Sequence, residues 1–330
     1  MRVEGHETCS QALRISVVMA YLQINFLSES LCRQTILNAV VPVGGKPFKT
    51  LYLLHGLYGN CMDWLANTRI AYWAEARNLA VIMPSADNSF YTDNEKSFAM
   101  YGEFFGRELV DVTRELLPLS HRREDTFIAG LSMGGYGAIR TGLKYHKTFG
   151  AIAGLSSALI TDDAPFFTNA SPEIIRPVLQ PGVAEFARQN FARQGSSNDV
   201  NVERSLGATD AELRNFDRKD GSEWLQDRSI GRRSFFEMVF GDLDKLKGSE
   251  NDPKFLISRL KREEIPALYL CCGTDDFLIE QNRDFHKFLR EKNVAHTYVE
   301  GAGSHTWEFW DEYILKVLDW LDATAPEEQR

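Results

Sequence analysis

The sequence is poor in several features that characterise other classes of protein. No apolar stretch approaches the roughly 18 residues needed to span a bilayer. The run from Ile15 to Leu22 could be mistaken for the apolar core of a signal peptide, but it is short and no clear small-residue cleavage site follows it. Lys and Arg (37) are outnumbered by Asp and Glu (46), and the net charge is -9 without a basic cluster. These absences argue against a membrane span, and against nucleic acid or an anionic membrane as the main partner.

Cysteine is scarce, and no pair has the CxxC spacing of a redox or zinc motif. The last two cysteines end an apolar run, where cysteine behaves as a small hydrophobe. The odd set predicts a reducing, cytoplasmic location; it comprises Cys9, Cys32, Cys61, Cys271 and Cys272. There is also no phosphate loop or dinucleotide fingerprint. We therefore expect neither a metal nor a cofactor.

The strongest chemical signal that is present is the stretch Gly130–Gly134, which contains Gly-x-Ser-x-Gly. A β-favouring segment precedes it and a helix-forming segment follows, which is the context of a nucleophile elbow. Small residues two before and two after the serine avoid a backbone clash in such a turn. The pattern predicts Ser132 as a nucleophile near the positive end of a helix. The alternative is a glycine-rich turn that only packs tightly.

Short apolar runs that end at glycine, proline or serine alternate with helical segments along much of the chain. Such runs are typical of parallel strands buried on both faces. We predict an α/β fold with a mostly parallel, doubly wound sheet. The predicted strands are a hairpin of Met19–Phe26 and Gln34–Pro42, followed by Thr50–Leu54, Leu79–Pro84, Asp125–Ala129, Ala151–Ser157, Pro266–Cys272 and Ala295–Glu300.

Helical periodicity predicts the elements between these strands. We expect one helix over Asp63–Asn78 and another from Glu280 onward. A third helix should bury one apolar face, and a last one should pack on the sheet before the polar tail. Those two faces are Phe105, Leu109, Val112 and Leu116, and then Phe309, Tyr313, Ile314, Val317, Leu318 and Leu321.

The domain organisation follows from where the alternation of predicted strands and helices is interrupted. Residues 1–18 have no convincing period, and we predict a flexible extension followed by a single domain over 19–330. The α/β alternation breaks over about 158–262, which predicts a cap inserted over the catalytic edge. A merely decorative insertion is the alternative. Short helices are expected there at Ala184–Ala192 and Asp210–Phe216.

Two loops after predicted strands supply further candidates at the same edge. His55-Gly-Leu57-Tyr-Gly follows the strand Thr50–Leu54, so the Leu57 N–H can form an oxyanion hole with the Met133 N–H. His55 is expected to be a structural histidine at the strand end rather than a base. In the next loop, Phe90 and Tyr91 either line a substrate pocket or pack locally.

The acid and base candidates come late in the chain. Asp275 and Asp276 follow a predicted strand, and either could orient a histidine. His305 follows the flexible Gly-Ala-Gly-Ser loop and is the predicted base. Trp307 either anchors the last helix or contacts substrate. The order serine, aspartate, histidine is that of the α/β-hydrolase fold.

These motifs together resemble the esterase D-like family of α/β hydrolases, and within it the bacterial tributyrin or acetyl esterases. The resemblance rests on HGLYGNCMDWL, VIMPSADNSFYTD, FIAGLSMGGYGA, CCGTDDFL and GSHTWEFW. It implies Asp276 as the acid and Leu57 and Met133 as the oxyanion donors. It also implies that residues 1–18 are dispensable. The segment near 185–225 is longer than is usual in this family.

The resulting expectation is a serine carboxylesterase that cleaves short acyl esters, acetyl to butyryl, through an acyl-enzyme. Its partner is then a small-molecule ester. Alternatives are an S-formylglutathione hydrolase, a deacylase of acetylated or feruloylated sugars, and a non-catalytic binding protein on the same scaffold. The sequence leaves the oligomeric state open, a homo-oligomer included.

Overall fold

A computed structural model describes residues 19–44, 47–168 and 232–324. These residues form two compact units. The larger contains the described residues of Met1–Leu159 and Pro253–Arg330, and the smaller contains those of Ile160–Asp252. The predicted extension over 1–18 and the two short helices predicted at Ala184–Ala192 and Asp210–Phe216 lie outside the described residues.

The larger unit is organised around an eight-stranded sheet with the order β1-β2-β4-β3-β7-β8-β9-β10. A separate two-stranded ribbon pairs β5 with β6. The strands are β1 (Met19–Ser28), β2 (Arg33–Pro42), β3 (Thr50–Leu54), β4 (Ala80–Pro84), β5 (Asp93–Asn94), β6 (Ala99–Met100), β7 (Thr126–Leu131), β8 (Ala151–Leu155), β9 (Ala267–Gly273) and β10 (Thr297–Gly301).

Two strands at one edge are antiparallel to their neighbours, and the remaining pairs are parallel. β1 pairs with β2, and β2 with β4, in antiparallel register. From β4 through β3, β7, β8 and β9 to β10 every pairing is parallel. The four strands β3, β4, β7 and β8 are buried along their whole length, which explains their continuous apolar sequences. The predicted mostly parallel sheet is confirmed.

Helices connect these strands in the larger unit. The long last helix buries the six residues that its periodicity predicted. The helices are α1 (Asp63–Asn67), α2 (Ile70–Arg77), α3 (Tyr101–Glu103), α4 (Leu109–Leu116), α5 (Met133–Lys144), α6 (Arg232–Phe240), α7 (Pro253–Arg259), α8 (Ile279–Glu291) and α9 (Trp307–Thr324). Of these, α6 belongs to the smaller unit.

The prediction of one helix over Asp63–Asn78 was wrong, because the chain forms α1 and α2 with a break between them. Thr68 has an extended backbone with φ -137° and ψ 169°. Its hydroxyl accepts a hydrogen bond from the Ile70 N–H at 3.2 Å. The side chain of Thr68 therefore accepts from the first N–H of α2, which in a continuous helix would bond to a backbone carbonyl of the preceding turn.

The apolar face predicted from Phe105 to Leu116 is only partly correct. Residues Phe104–Glu108 form a π-helical segment before α4. This wider turn changes the rotation of Phe105 relative to the residues of α4. Within α4 itself, Leu109 and Thr113 are buried, whereas Leu116, the last residue of the helix, is 56% exposed.

The smaller unit has its own aromatic cluster. Phe236 on α6 packs against Phe167 and Phe240, with ring centroids 5.0 and 6.1 Å away. Arg233 donates a hydrogen bond to the Pro165 carbonyl at 3.0 Å. This unit ends at Asp252, and α7 belongs to the larger unit. No helix in the described part of the chain is long and apolar enough to cross a membrane.

Candidate active site

Ser132 occupies a strained turn between β7 and α5. Its φ of 54° and ψ of -117° form a conformation that residues with a side chain rarely adopt. The turn is tight because Gly134 touches the preceding part of the sheet. A Cβ on Gly134 would lie 2.5 Å from the carbonyl oxygens of both Leu54 and His55. Only glycine fits there, which is the physical reason for the second glycine of the motif.

The backbone of Ser132 is fixed by the neighbouring strand β8 and the segment that follows it. Its N–H donates to the Leu155 carbonyl at 2.9 Å, and its carbonyl accepts from the Ala158 N–H at 2.9 Å. The residue therefore cannot relax into an ordinary conformation without breaking these bonds. Its hydroxyl lies at the N-terminal end of α5, where unpaired N–H groups favour negative charge.

The structure brings the predicted nucleophile, base and acid together. The His305 Nε2 lies 2.9 Å from the Ser132 Oγ, and the His305 Nδ1 lies 2.9 Å from the Asp276 Oδ2. Asp276 is 2% exposed, and the other two residues are each 8% exposed. Because an ionised carboxylate only accepts, the Nδ1 carries the proton and the Nε2 lone pair faces the serine hydroxyl. This tautomer is the one a general base requires.

Geometry distinguishes the two adjacent aspartates that the residues alone left open. Asp276 is buried and also accepts a hydrogen bond from the Leu278 N–H at 2.9 Å. Asp275 is exposed, and its contact with the histidine loop is a bond from its own N–H to the Gly303 carbonyl at 2.9 Å. Asp276 is therefore the carboxylate that contacts His305.

The loop that carries His305 is joined directly to the loop that carries Asp276. The Thr274 N–H donates to the Gly301 carbonyl at 2.8 Å. A Cβ on Gly273 would lie 2.3 Å from the Gly303 carbonyl oxygen, so the close approach of the loops requires glycine. These backbone contacts fix the separation between acid and base.

Two aromatic residues that the sequence analysis did not single out cover the His305 imidazole. Trp310 packs edge-to-face against it at 4.8 Å and donates from its Nε1 to the Ser156 hydroxyl at 3.2 Å. Phe277 contacts it at 4.5 Å and is 45% exposed. The available signal was position, since Phe277 directly follows the acid and Trp310 lies one turn into the helix after His305.

The loop His55–Asn60, named the oxyanion loop for its predicted role, lies against Ser132. A Cβ on Gly56 would lie 3.6 Å from the Ser132 Cβ. Neither the Leu57 N–H nor the Met133 N–H donates to any described residue. Both N–H groups predicted for an oxyanion hole are thus available to a ligand.

His55 has the structural role that its position predicted. It is 1% exposed, and its Nε2 accepts a hydrogen bond from the Ala86 N–H at 2.9 Å. Its Nδ1–H donates to the Gly56 carbonyl at 2.7 Å. Burial lowers the pKa of His55, which favours the neutral ring that these two bonds require.

The three predicted pocket residues pack within the protein. Tyr91 is 0% exposed and its hydroxyl donates to the His55 carbonyl, which is the local packing that the sequence left open beside a pocket. Phe90 is also buried, with its ring 5.8 Å from that of Tyr136. Trp307 is half-buried and packs edge-to-face on Trp64 at 5.4 Å, which anchors α9. Over the described ranges, no three His, Cys, Asp or Glu residues are grouped to hold a metal.

The fold and the site define the class of the protein. A serine on a strained strand-to-helix turn, with a buried histidine and aspartate beyond later strands of a parallel sheet, is the arrangement of serine hydrolases with the α/β-hydrolase fold. The comparison with known proteins gives the family. Residues 28–321 match the model of the Putative esterase family, and the chain belongs to it.

Individual relatives agree with this assignment. The chain is 37% identical over 321 residues to an acetyl esterase of Caldicellulosiruptor saccharolyticus. The alignment covers 93% of this chain and 100% of that protein. A fluorophosphonate-binding serine hydrolase of Staphylococcus aureus, solved with substrate bound, is 27% identical, with a TM-score of 0.66 over 92% of this chain and 98% of its own.

A second solved structure is that of an S-formylglutathione hydrolase, also from Staphylococcus aureus. It is 27% identical, with a TM-score of 0.66 over 92% of this chain and 99% of its own. Family membership and these similarities identify the chain as an enzyme, a carboxylic ester hydrolase with the α/β-hydrolase fold.

Proposed function

We propose that the protein is a serine carboxylesterase that hydrolyses short-chain acyl esters, from acetyl to butyryl. The observation that carries the proposal is the hydrogen-bonded chain from the Ser132 Oγ through His305 to Asp276, with both distances along the imidazole at 2.9 Å. Similarity to an acetyl esterase over nearly the whole chain supports the short acyl group.

In this mechanism the Ser132 Oγ attacks the ester carbonyl while the His305 Nε2 accepts its proton. Asp276 holds the imidazole in the required tautomer and stabilises its cation. The N–H groups of Leu57 and Met133 stabilise the negative charge that develops on the carbonyl oxygen. The His305 imidazolium then protonates the departing alcohol, and water repeats the sequence on the acyl-enzyme to release the acid.

S-formylglutathione hydrolysis is the second candidate, and the 27% identity to a solved enzyme of that kind favours it. The same three residues would serve a thioester, because the acyl-enzyme is formed in the same way. The difference lies in the leaving group, a thiolate rather than an alkoxide. A thiolate leaves with less help from a general acid, so relative rates distinguish the two substrates.

We also propose a cytoplasmic location. Cys32, Cys61, Cys271 and Cys272, the cysteines within the described residues, are all free thiols. Free thiols persist in reducing compartments. A small-molecule ester is the partner that the site requires.

The deciding experiment measures hydrolysis of p-nitrophenyl esters from acetate to decanoate, beside S-formylglutathione, by the wild type and Ser132→Ala. We expect the highest kcat/KM for acetyl to butyryl esters and a loss of about 10⁶-fold in kcat for the variant. A strong preference for the thioester would support the second candidate. If the wild type cleaves none of these substrates and no serine-directed phosphonate labels it, the protein is not a serine esterase.

A further inference from the structure

The direction of the Leu57 N–H depends on the peptide group to which it belongs. That planar group also contains the Gly56 carbonyl, and in a trans peptide the two bonds point in opposite directions. The Gly56 carbonyl accepts from the His55 Nδ1–H at 2.7 Å and from the Gly59 N–H at 3.2 Å. Whatever holds the His55 ring and backbone therefore also aims the Leu57 N–H.

His55 is held in turn by the loop after β4. The Ala86 N–H donates to the His55 Nε2 at 2.9 Å, and the Tyr91 hydroxyl donates to the His55 carbonyl at 2.8 Å. The same carbonyl oxygen faces Gly134 on the nucleophile helix, where a Cβ would come within 2.5 Å. One carbonyl thus touches both the tyrosine and the helix that begins with the second oxyanion donor, Met133.

Tyr91 is itself placed with little freedom. It has a positive φ of 58°, directly after Phe90 at 50°, and two such residues in succession are strained. Its ring packs edge-to-face on Phe105 at 4.7 Å and covers Gly137, where a Cβ would be 2.2 Å from the ring. The Arg140 Nη1 donates to its carbonyl at 3.4 Å. Strain of this kind is retained when the surrounding packing determines a functional position.

We propose that Tyr91 is a positioning residue that, through His55, aims the Leu57 N–H into the oxyanion hole. The inference rests on the proposed serine esterase function. Tyr91 contacts neither substrate nor the reacting atoms. Burial raises the pKa of Tyr91 well above its ordinary value, so the phenol remains a hydrogen-bond donor throughout the working pH range.

The test compares Tyr91→Phe with Tyr52→Phe, which make the same chemical change. Tyr52 is also buried, and its hydroxyl is bonded to the Thr113 hydroxyl at 2.7 Å rather than to the oxyanion loop. We expect Tyr91→Phe to lower kcat about tenfold with KM within about twofold. The reason is that a misaligned oxyanion donor stabilises the transition state less but leaves the binding of the substrate unchanged. Tyr52→Phe should leave kcat within about twofold.

A second readout does not depend on which ester is preferred. A fluorophosphonate reacts when the Ser132 Oγ loses its proton to the His305 Nε2 and forms a bond to phosphorus, fluoride leaves, and the phosphoryl oxygen enters the oxyanion hole. We expect this labelling rate to fall about tenfold in Tyr91→Phe and not in Tyr52→Phe. An error in the proposed substrate class would leave this comparison unaffected.

Two results of this comparison, and one of a binding measurement, would overturn the proposal. One is a Tyr91→Phe enzyme with wild-type kcat and labelling rate. The other is an equal loss in both variants, which would mean that removing either buried hydroxyl loosens the protein in general. Affinity for a trifluoromethyl ketone, which forms the tetrahedral adduct, should fall with kcat in Tyr91→Phe. Unchanged affinity alongside a lower kcat would also contradict the role in the oxyanion hole.

Discussion

The two turns that form the catalytic edge are held in different ways. The nucleophile turn at Ser132 is fixed by backbone contacts, since Gly134 has no room for a side chain and the serine N–H and carbonyl are bonded to Leu155 of β8 and to Ala158 beyond it. The oxyanion loop, His55–Asn60, is fixed by side chains from elsewhere. Tyr91 and Asn88 reach it from the loop after β4, and the Asn88 Oδ1 accepts from the Tyr58 N–H at 2.8 Å.

This difference shows how one site combines two kinds of constraint. A turn fixed by backbone sterics requires glycine at one or two positions and tolerates almost no change in them. A turn fixed by side-chain hydrogen bonds depends on partners that are distant in sequence and can be loosened one bond at a time. The first kind suits a nucleophile, and the second allows adjustment of the donors around it.

After the loss of the serine itself, the largest effect is expected from a variant that leaves both turns intact and changes the carboxylate behind His305. Asp276→Asn should lower kcat by about 10³- to 10⁴-fold, because an amide can stabilise the wrong histidine tautomer and cannot stabilise the imidazolium. Steady-state hydrolysis of p-nitrophenyl acetate measures this fall in kcat. Asp275→Asn is the matched control, and its activity should equal that of the wild type. Equal losses in the two variants would contradict the assignment of the acid.

The next largest effect is expected from a variant that disrupts the nucleophile turn, which is fixed by backbone contacts. Gly134→Ala should destabilise the protein by about 3 kcal/mol, since the new methyl group meets two carbonyl oxygens that cannot move independently. Urea unfolding measures this loss. Gly44→Ala is the control, because the nearest atom to its new Cβ would be at an ordinary 3.6 Å. A Gly134→Ala protein with wild-type stability and activity would show that the turn can widen.

The smallest effect is expected at the oxyanion loop and concerns how the free energy of unfolding depends on pH. The Asp63 carboxylate accepts a hydrogen bond from the Asn60 backbone, and burial raises the pKa of Asp63 to about 6. Folding then favours the protonated acid, so its stabilising contribution is present at low pH and is lost as the pH rises from about 4 through about 6.

The measurement is the free energy of unfolding of the wild type and Asp63→Asn at pH 4 and pH 7. Partial exposure screens the charge, and we expect the wild type to lose about 1 to 2 kcal/mol relative to the variant over this range. The difference between the two proteins cancels every other titrating group. A difference that does not change with pH would show that Asp63 does not couple to folding.

Much of the fold was predictable because its signals are local. The buried strands are continuous apolar runs that end at glycine or serine, and β3 was predicted residue for residue as Thr50–Leu54. The last helix was predictable for the same reason, since its six periodic apolar residues are all buried. The break at Thr68 and the π-helical segment before α4 were not predictable, because a single capping bond or an added residue in one turn leaves the apolar spacing almost unchanged.

The sequence by itself determined the nucleophile turn and the order of serine, aspartate and histidine, because glycine sterics and strand ends act over a few neighbouring residues. Only the tertiary structure decided which aspartate contacts His305 and that the buried Tyr91 hydroxyl bonds to the His55 carbonyl. Both depend on how loops from distant strands approach one another. Asp275 and Asp276 are the same type of residue, and they differ only in where their side chains point. Packing of the loops sets that direction.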